Sequence, residues 1–341
     1  QYYIKMDVAG HILGVLWLLT IGKMIDDDTY EHAYGNRLNQ HLLNDKGCVT
    51  FSPTLFEPYI AQYGSWRDRA LRLAEEHLDD KEDVFILTLD FQSFFYNVNV
   101  SKNKYDELLH TYQQKIEELD DSCPTWLNRV HAFVWQVLER YTEILQQYDV
   151  LLEAESHEEG KQNTAPRHVS NSITHMLPIG FLPCNVLSNW ILKGFDEAIV
   201  NRWNPLYYGR YVDDIIIVDK VEKNSILYKA AREKQHKGAA SLTADSIVER
   251  FMCNCRNRDI DTPCQNGIFI KPDEKTYRIH ESILEHIGSL IDVQRSKLKV
   301  FYFRNGTSRA LLTRFREDIA RNASEFRVLP ELDDALDFGN Y

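Results

Sequence analysis

A chain of 341 residues with 44% hydrophobic content can bury a sizeable core and has room for two or three subdomains, an ordinary globular composition. Its net charge of −12 argues against indiscriminate nucleic-acid binding, because phosphate affinity comes from Lys and Arg, yet it leaves room for a local basic channel. Six cysteines in this length make no disulfide framework and point to a reducing, cytoplasmic compartment.

The chain opens at Gln1 with no initiator Met and no basic stretch ahead of an apolar run, so neither a signal peptide nor a natural start is expected. The longest apolar stretch, Ala9 to Gly22, carries a His and three glycines and falls short of the roughly 18 residues a bilayer demands. It predicts a buried helix and no membrane partner. Residues 10–45 read as helical, interrupted by the acidic IDDDTYEHAYGNR, and SWRDRALR (65–72) gathers positive charge. Asp79 to Asp83 predicts a polar turn. VFILTLD (84–90) is a near-continuous apolar run of strand length, as a strand covered on both faces would be, and it ends on a carboxylate.

Helical spacing follows from Asp121 to about Glu155, then a polar loop from Glu155 to Asn171. LPIGFLPCNVLSNWILKGFDEAIV (177–200) passes from a Pro/Gly turn into a helix. YYGRYVDDIIIV (207–218) reads as strand, turn, strand. Residues 221–265 predict a helix plus an irregular insertion. Three cysteines gather there, Cys253, Cys255 and Cys264, but C-x-C lacks the paired knuckles of a structural zinc site, and free thiols are expected. GIFIKPDEKTYRIH (267–280) alternates like paired strands and KLKVFYF (297–303) is another strand. A basic stretch runs from Arg295 to Arg316, with a last helix over 308–322. The order describes an α+β unit, an antiparallel sheet with helices on one side.

Two adjacent aspartates, Asp213 and Asp214, fall where the hairpin reverses. A turn accommodates one Asp comfortably. Two beside buried strands raise each other's pKa unless a positive charge sits against them, and a divalent cation with oxygen ligands supplies it. This predicts a third carboxylate, for which Asp90 at the end of VFILTLD is the natural candidate. Ions held between two strands would activate an attacking hydroxyl and steady a leaving pyrophosphate.

LDFQSFFYNV (89–98), LPIGFLPCNVLSNWILKGFD (177–196) and YGRYVDD (208–214), in that order, resemble motifs A, B and C of a reverse transcriptase palm; GIFIKPDEKT and SKLKVFYF resemble motifs D and E. Together with AYGNRL (33–38), FEPYIAQYGSWR (56–67) and EFRVLPE (325–331), the chain is most similar to bacterial abortive-infection and defence-associated reverse transcriptases, over about residues 33–331. The resemblance implies a right-hand polymerase: fingers over 1–80, palm over 81–290, and a motif E hairpin with the start of a short helical thumb or C-terminal domain over 291–341. It implies that Asp90, Asp213 and Asp214 hold Mg²⁺, with Mn²⁺ as the alternative, the carbonyl of Phe91 completing one shell and Asp213 the firmer ligand of the pair.

Phe95 stands where the family keeps a ring against the sugar 2′ position, so dNTPs are the expected monomers. Pro178 and Gly180 form a turn that lets backbone approach the base pair. Ile179 and Cys184 depart from the family, where a Gln and a small hydroxyl are common, which touches nucleotide recognition. Lys275 matches a lysine that donates a proton to pyrophosphate. Arg37 matches a fingers cation that grips triphosphate or template. Arg210 would neutralise the acids or meet a phosphate, and Tyr211 would pack against the primer end.

The expected activity is RNA-directed or template-independent DNA synthesis in bacterial antiphage defence. Its expected partners are an RNA template or structured noncoding RNA, a DNA product, and a second subunit or further copies of the chain. Two other classes fit the same residues: a silent polymerase-like module for binding or assembly, and another palm-fold nucleotidyltransferase such as a cyclase. No P-loop and no H-E-x-x-H arrangement occurs.

Overall fold

The computed structural model describes residues 2–40, 54–118, 123–158, 175–223, 225, 228–229, 243–253, 267–284, 291–305 and 312–313. Cys48, Cys255, Cys264, nearly all of the closing helix over 308–322 and the EFRVLPE segment lie outside them. The described residues form a mixed helix and sheet fold of the α+β kind, with antiparallel sheets.

Helix α1 (Val8–Trp17) starts where the Asp7 carboxylate accepts the Gly10 amide at 2.7 Å. It runs through a π-helical turn (Leu18–Gly22) into α2 (Lys23–Asp27). These 20 residues are longer than the apolar stretch alone predicts, and on length and composition they would suffice to cross a membrane. Instead Trp17, Leu18, Ile21 and Ile25 are buried in the core. Helix α3 (Tyr59–Asp79) leads through a turn at Asp80 to β1 (Val84–Asp90).

Next come α4 (Phe94–Asn97), α5 (Lys102–Glu118), which the sequence reading missed, and α6 (Trp126–Glu158), which begins beyond Asp121 because Pro124 precedes it. The predicted helix after Leu177 is broken at Leu192 into α7 (Leu182–Ile191) and α8 (Lys193–Ala198). Strands β2 (Tyr207–Tyr211) and β3 (Asp214–Lys220) form the expected hairpin. After α9 (Ala244–Val248) come β4 (Phe269–Ile270), β5 (Thr276–Ile279), β6 (Asp292–Gln294) and β7 (Lys299–Phe303).

The main sheet has the order β2-β3-β1-β7 and a small one the order β4-β5-β6, every pairing antiparallel. The Gln92 amide donates to the Asp292 carbonyl at 2.7 Å and ties the two sheets together.

Strand alternation then decides what faces what. Leu87, Leu89, Ile215 and Ile217 point to the larger core, with Trp17, Leu187 and Phe195. Val84, Ile86, Ile216, Val218 and Phe301 point the other way, onto Trp66, Ala70, Leu71 and Ala74 of α3. The expectation of helices on one side is therefore corrected: α3 covers the second face, which is why β1 is apolar on both faces over Val84, Phe85, Ile86 and Leu87. It covers only part of that face. Thr88 and Asp90, next in the same alternation, emerge beyond it.

Candidate functional site

The uncovered end of the sheet floors a cavity of about 600 Å³. Asp90 lies directly across from Asp214 on the neighbouring strand, and Asp214 across from Tyr211. Ladder geometry holds such opposed Cα atoms about 4.5–5.5 Å apart. Asp213 occupies the reversal between β2 and β3, and its carbonyl accepts the Phe91 amide at 3.4 Å. The three carboxylates thus come from two adjacent strand ends, and all three line the cavity with Phe95, Ile179 and Lys297.

The turn carrying Asp213 is strained. Val212 has φ 58°, left-handed geometry that a β-branched residue rarely adopts, and strain of this kind persists only where the surroundings enforce it. Enforcement comes from the AYGN segment. The Tyr34 amide donates to the Arg210 carbonyl at 2.9 Å and the Arg210 amide to the His32 carbonyl at 3.0 Å, so His32 to Tyr34 lie along the edge of β2.

Gly35 then touches the turn itself. A Cβ there would meet Val212 Cγ2 at 2.6 Å and the Val212 backbone nitrogen at 2.7 Å. Gly35→Ala is expected to cost about 1–3 kcal/mol in urea unfolding, because backbone must shift to admit the methyl. The control is Gly64→Ala inside α3, where a Cβ has nothing within 4 Å. It should gain about 0.5–1 kcal/mol from helix propensity. Equal effects at the two positions would mean that the segment does not press on the turn.

Pro178 to Phe181 make the predicted turn. The Phe181 amide donates to the Pro178 carbonyl at 3.3 Å and Gly180 sits at φ 93°, the geometry that a type II turn reserves for Gly. Ile179, not Gly180, lines the cavity. The ring of Phe91 is buried against Phe94 and Phe195. Phe95 is half-buried at the cavity wall, edge-on to Phe94. Tyr211 stands among Tyr59, Tyr63 and Trp66, whose ring centres lie 5.3–6.1 Å away. Burial, then the neighbouring Tyr59, pushes its phenol up to about 12, so it stays protonated at neutral pH. Burial, and after it the charge of Asp214, also raises the Tyr63 phenol.

Three predicted cations are elsewhere. Arg210 alternates onto the opposite face from the aspartates. Its guanidinium is fully buried, bonded to Asp196 from Nε (2.8 Å) and Nη2 (2.9 Å) and to the Asn189 side chain at 2.7 Å. Arg37 is bonded to the buried Asp26 at 2.9 Å and to the carbonyls of Asp26, Tyr30 and Ala33, so it closes the loop after α2. Lys275 is exposed in the turn between β4 and β5 and does not line the cavity.

Among the described residues, the cations that do line it are Lys297 and Lys299, from the SKLK run after β6. Lys297 Nζ stands 2.5 Å from Asp90 Oδ2. The signal in the sequence was the basic cluster beside a strand; its alternation with Phe301 and Phe303 gives Lys299 its face, opposite Thr88.

Among the described residues no three His, Cys, Asp or Glu side chains converge as a ready-made metal centre. The donor set at the strand ends is nonetheless all oxygen, which suits Mg²⁺ or Mn²⁺ and not a thiolate-seeking ion. Among the described cysteines, Cys184 is buried, and Cys123 and Cys253 are half-buried free thiols. Compared with protein-family models and with curated proteins, the sequence matches neither, so any functional assignment rests on its own residues and their geometry.

Proposed function

We propose that this chain is a metal-dependent DNA polymerase of the reverse-transcriptase type, in which residues 1–80 are the fingers, residues 81–290 the palm, and residues 291–341 the motif E segment, whose strands β6 and β7 join different sheets, and the start of a thumb or C-terminal domain. The observation that carries this reading is the register pairing of Asp90 with Asp214, with Asp213 beside it, on the floor of a cavity large enough for a nucleotide. A binding module gains nothing from three carboxylates aimed at phosphate.

Asp90, Asp213 and Asp214, with the Phe91 carbonyl, would hold the ions. Bound Mg²⁺ supplies neutralising charge for the triphosphate and lowers the pKa of the attacking hydroxyl. Phe95 would fill the space a ribose 2′-hydroxyl needs. The turn from Pro178 to Phe181 would let backbone meet the incoming base pair, and Lys297 and Lys299 would face the phosphates. The similarity to defence-associated enzymes extends the proposal to a bacterial antiphage role in the cytoplasm. An RNA template or bound noncoding RNA, and a second subunit or copy, would be the partners.

The test is incorporation of each labelled dNTP or NTP by the purified chain with Mg²⁺, with co-purified RNA kept or digested. A DNase-sensitive product from dNTPs alone is the expected result. Binding of RNA or DNA with no incorporation under any condition would replace the polymerase with a binding module, and a cyclic or dinucleotide product would assign another nucleotidyltransferase. In the same assay Phe95→Ala should lower the preference for dNTP over NTP at least about tenfold, the scale on which a pocket discriminates by bulk. An unchanged ratio would leave Phe95 as wall packing.

A further inference from the structure

Resting on the polymerase reading, we infer that Lys297 is an exchangeable counter-ion: its ammonium and a divalent cation take turns on the Asp90 carboxylate, and the displaced ammonium passes to the phosphates of the incoming nucleotide. The geometry makes the two occupants exclusive. Lys297 Nζ is 2.5 Å from Asp90 Oδ2. A metal ion bonded to that carboxylate at about 2.1 Å would bring two cations within about 4–5 Å, where they repel strongly.

The surroundings favour exchange over a fixed bridge. Lys297 is 49% exposed and Asp90 28%, so water reaches both groups and neither is trapped in the pair. The backbone that carries Lys297 is anchored independently. Arg295, in the same turn, donates from Nε to Asp245 at 2.8 Å and from Nη1 to the Glu274 carbonyl at 2.6 Å, and its amide donates to the Lys275 carbonyl at 3.0 Å. The turn is thereby held while the Lys297 side chain projects into the cavity. Lysine suits the task, being a compact point charge on a flexible stem with three rotatable donors. Arginine would grip a carboxylate with its planar fork.

The cavity also needs such a group. Asp90, Asp213 and Asp214 bring three carboxylates to a site proposed to admit a triphosphate, and among the described residues Lys297 and Lys299 are the Lys or Arg side chains that line it with them. A cation that leaves Asp90 as the metal arrives and meets the phosphates that come with it keeps the site near balance in both situations.

The experiment measures Mn²⁺ binding to the full chain without nucleotide, from the free-ion electron paramagnetic resonance signal. It then measures binding of a non-hydrolysable dNTP analogue at saturating Mn²⁺. Lys297→Met is expected to bind Mn²⁺ about three- to tenfold tighter and the analogue about three- to tenfold weaker, the two constants moving in opposite directions. Lys297→Arg is expected to bind Mn²⁺ at least about twofold weaker than the parent. It reads the same exchange should the Met variant fail to fold.

Lys297→Met with both constants within about twofold of the parent, or with both weakened, overturns the exchange, and so does Lys297→Arg with unaltered Mn²⁺ affinity. Asp90→Asn separates this failure from that of the polymerase reading. If Mn²⁺ binding ignores Asp90, the metal site and the polymerase fall together. If it needs Asp90 but ignores Lys297, the exchange alone falls.

Discussion

Asp213→Asn should abolish incorporation, lowering it on the order of 10³-fold or more, while the melting temperature holds or rises. The loss follows from removing a charged ligand from a centre proposed to supply several kcal/mol of transition-state stabilisation, where each ~1.4 kcal/mol is tenfold in rate. The stability side follows from the geometry. Asp213 and Asp214 are adjacent, Asp90 is paired across from Asp214, and the turn that carries Asp213 already holds Val212 at φ 58°. Asparagine keeps the shape, tolerates a turn and removes the negative charge that sits next to Asp214 in the chain. Sites built for function commonly gain stability when dismantled. Thermal denaturation beside the incorporation assay reads both quantities. A variant that loses activity together with several degrees of melting temperature would make Asp213 a structural residue, and one that keeps activity would remove it from the proposed metal site.

Arg210→Met should cost about 3–5 kcal/mol in urea unfolding, the penalty for leaving a buried charge without its partner. The orphan would be Asp196, buried with Arg210 and still accepting the Tyr208 hydroxyl at 2.5 Å. Arg210 also bonds Asn189, whose amide nitrogen donates to the Gly35 carbonyl at 3.1 Å. One guanidinium therefore joins β2, α7, α8 and the AYGN segment that presses on the hairpin turn. Adding Asp196→Asn to Arg210→Met should recover at least about 1 kcal/mol by removing the uncompensated charge. If Arg210→Met costs less than about 1 kcal/mol, the pair is not the clamp its burial implies.

The two arginines and Lys275 show where sequence reasoning stops. Strand β1 and the β2–β3 hairpin were legible because their apolar runs and the acid pair leave little choice of local structure, and the sheet then brought Asp90 beside Asp214 as expected. What a side chain meets across the fold is a different matter. Arg210 is one residue from Tyr211, and strand alternation sends the two to opposite faces, so adjacency in YGRYVDD said nothing of adjacency in space. Arg37 and Lys275 carry charge near the right motifs, but the Arg37 guanidinium bonds Asp26, and the Lys275 backbone amide donates to Asp273 within a turn that leaves its side chain exposed away from the cavity. Lys297 was hidden for the converse reason: the residue that reaches Asp90 comes from more than 200 positions away, where the basic run looks like any solvated surface. The second helical layer was half legible, since a strand apolar on both faces implies a cover without naming α3.

The edge of β2 is covered by a segment that lies far upstream. Tyr30 bonds the Tyr208 carbonyl across 178 positions, and His32 to Tyr34 line the same edge. On a ribosome adding roughly 5–20 residues per second, the covering segment exists about 10–35 s before the strand it will cover. By the time the hairpin emerges, its partner is waiting, and a strand edge that could recruit a neighbouring nascent chain is claimed from within the same molecule. Direction of synthesis thus guards against misassembly: a circular permutant that placed residues 30–36 after the hairpin would expose that edge while it waits, and should yield less soluble protein than the parent.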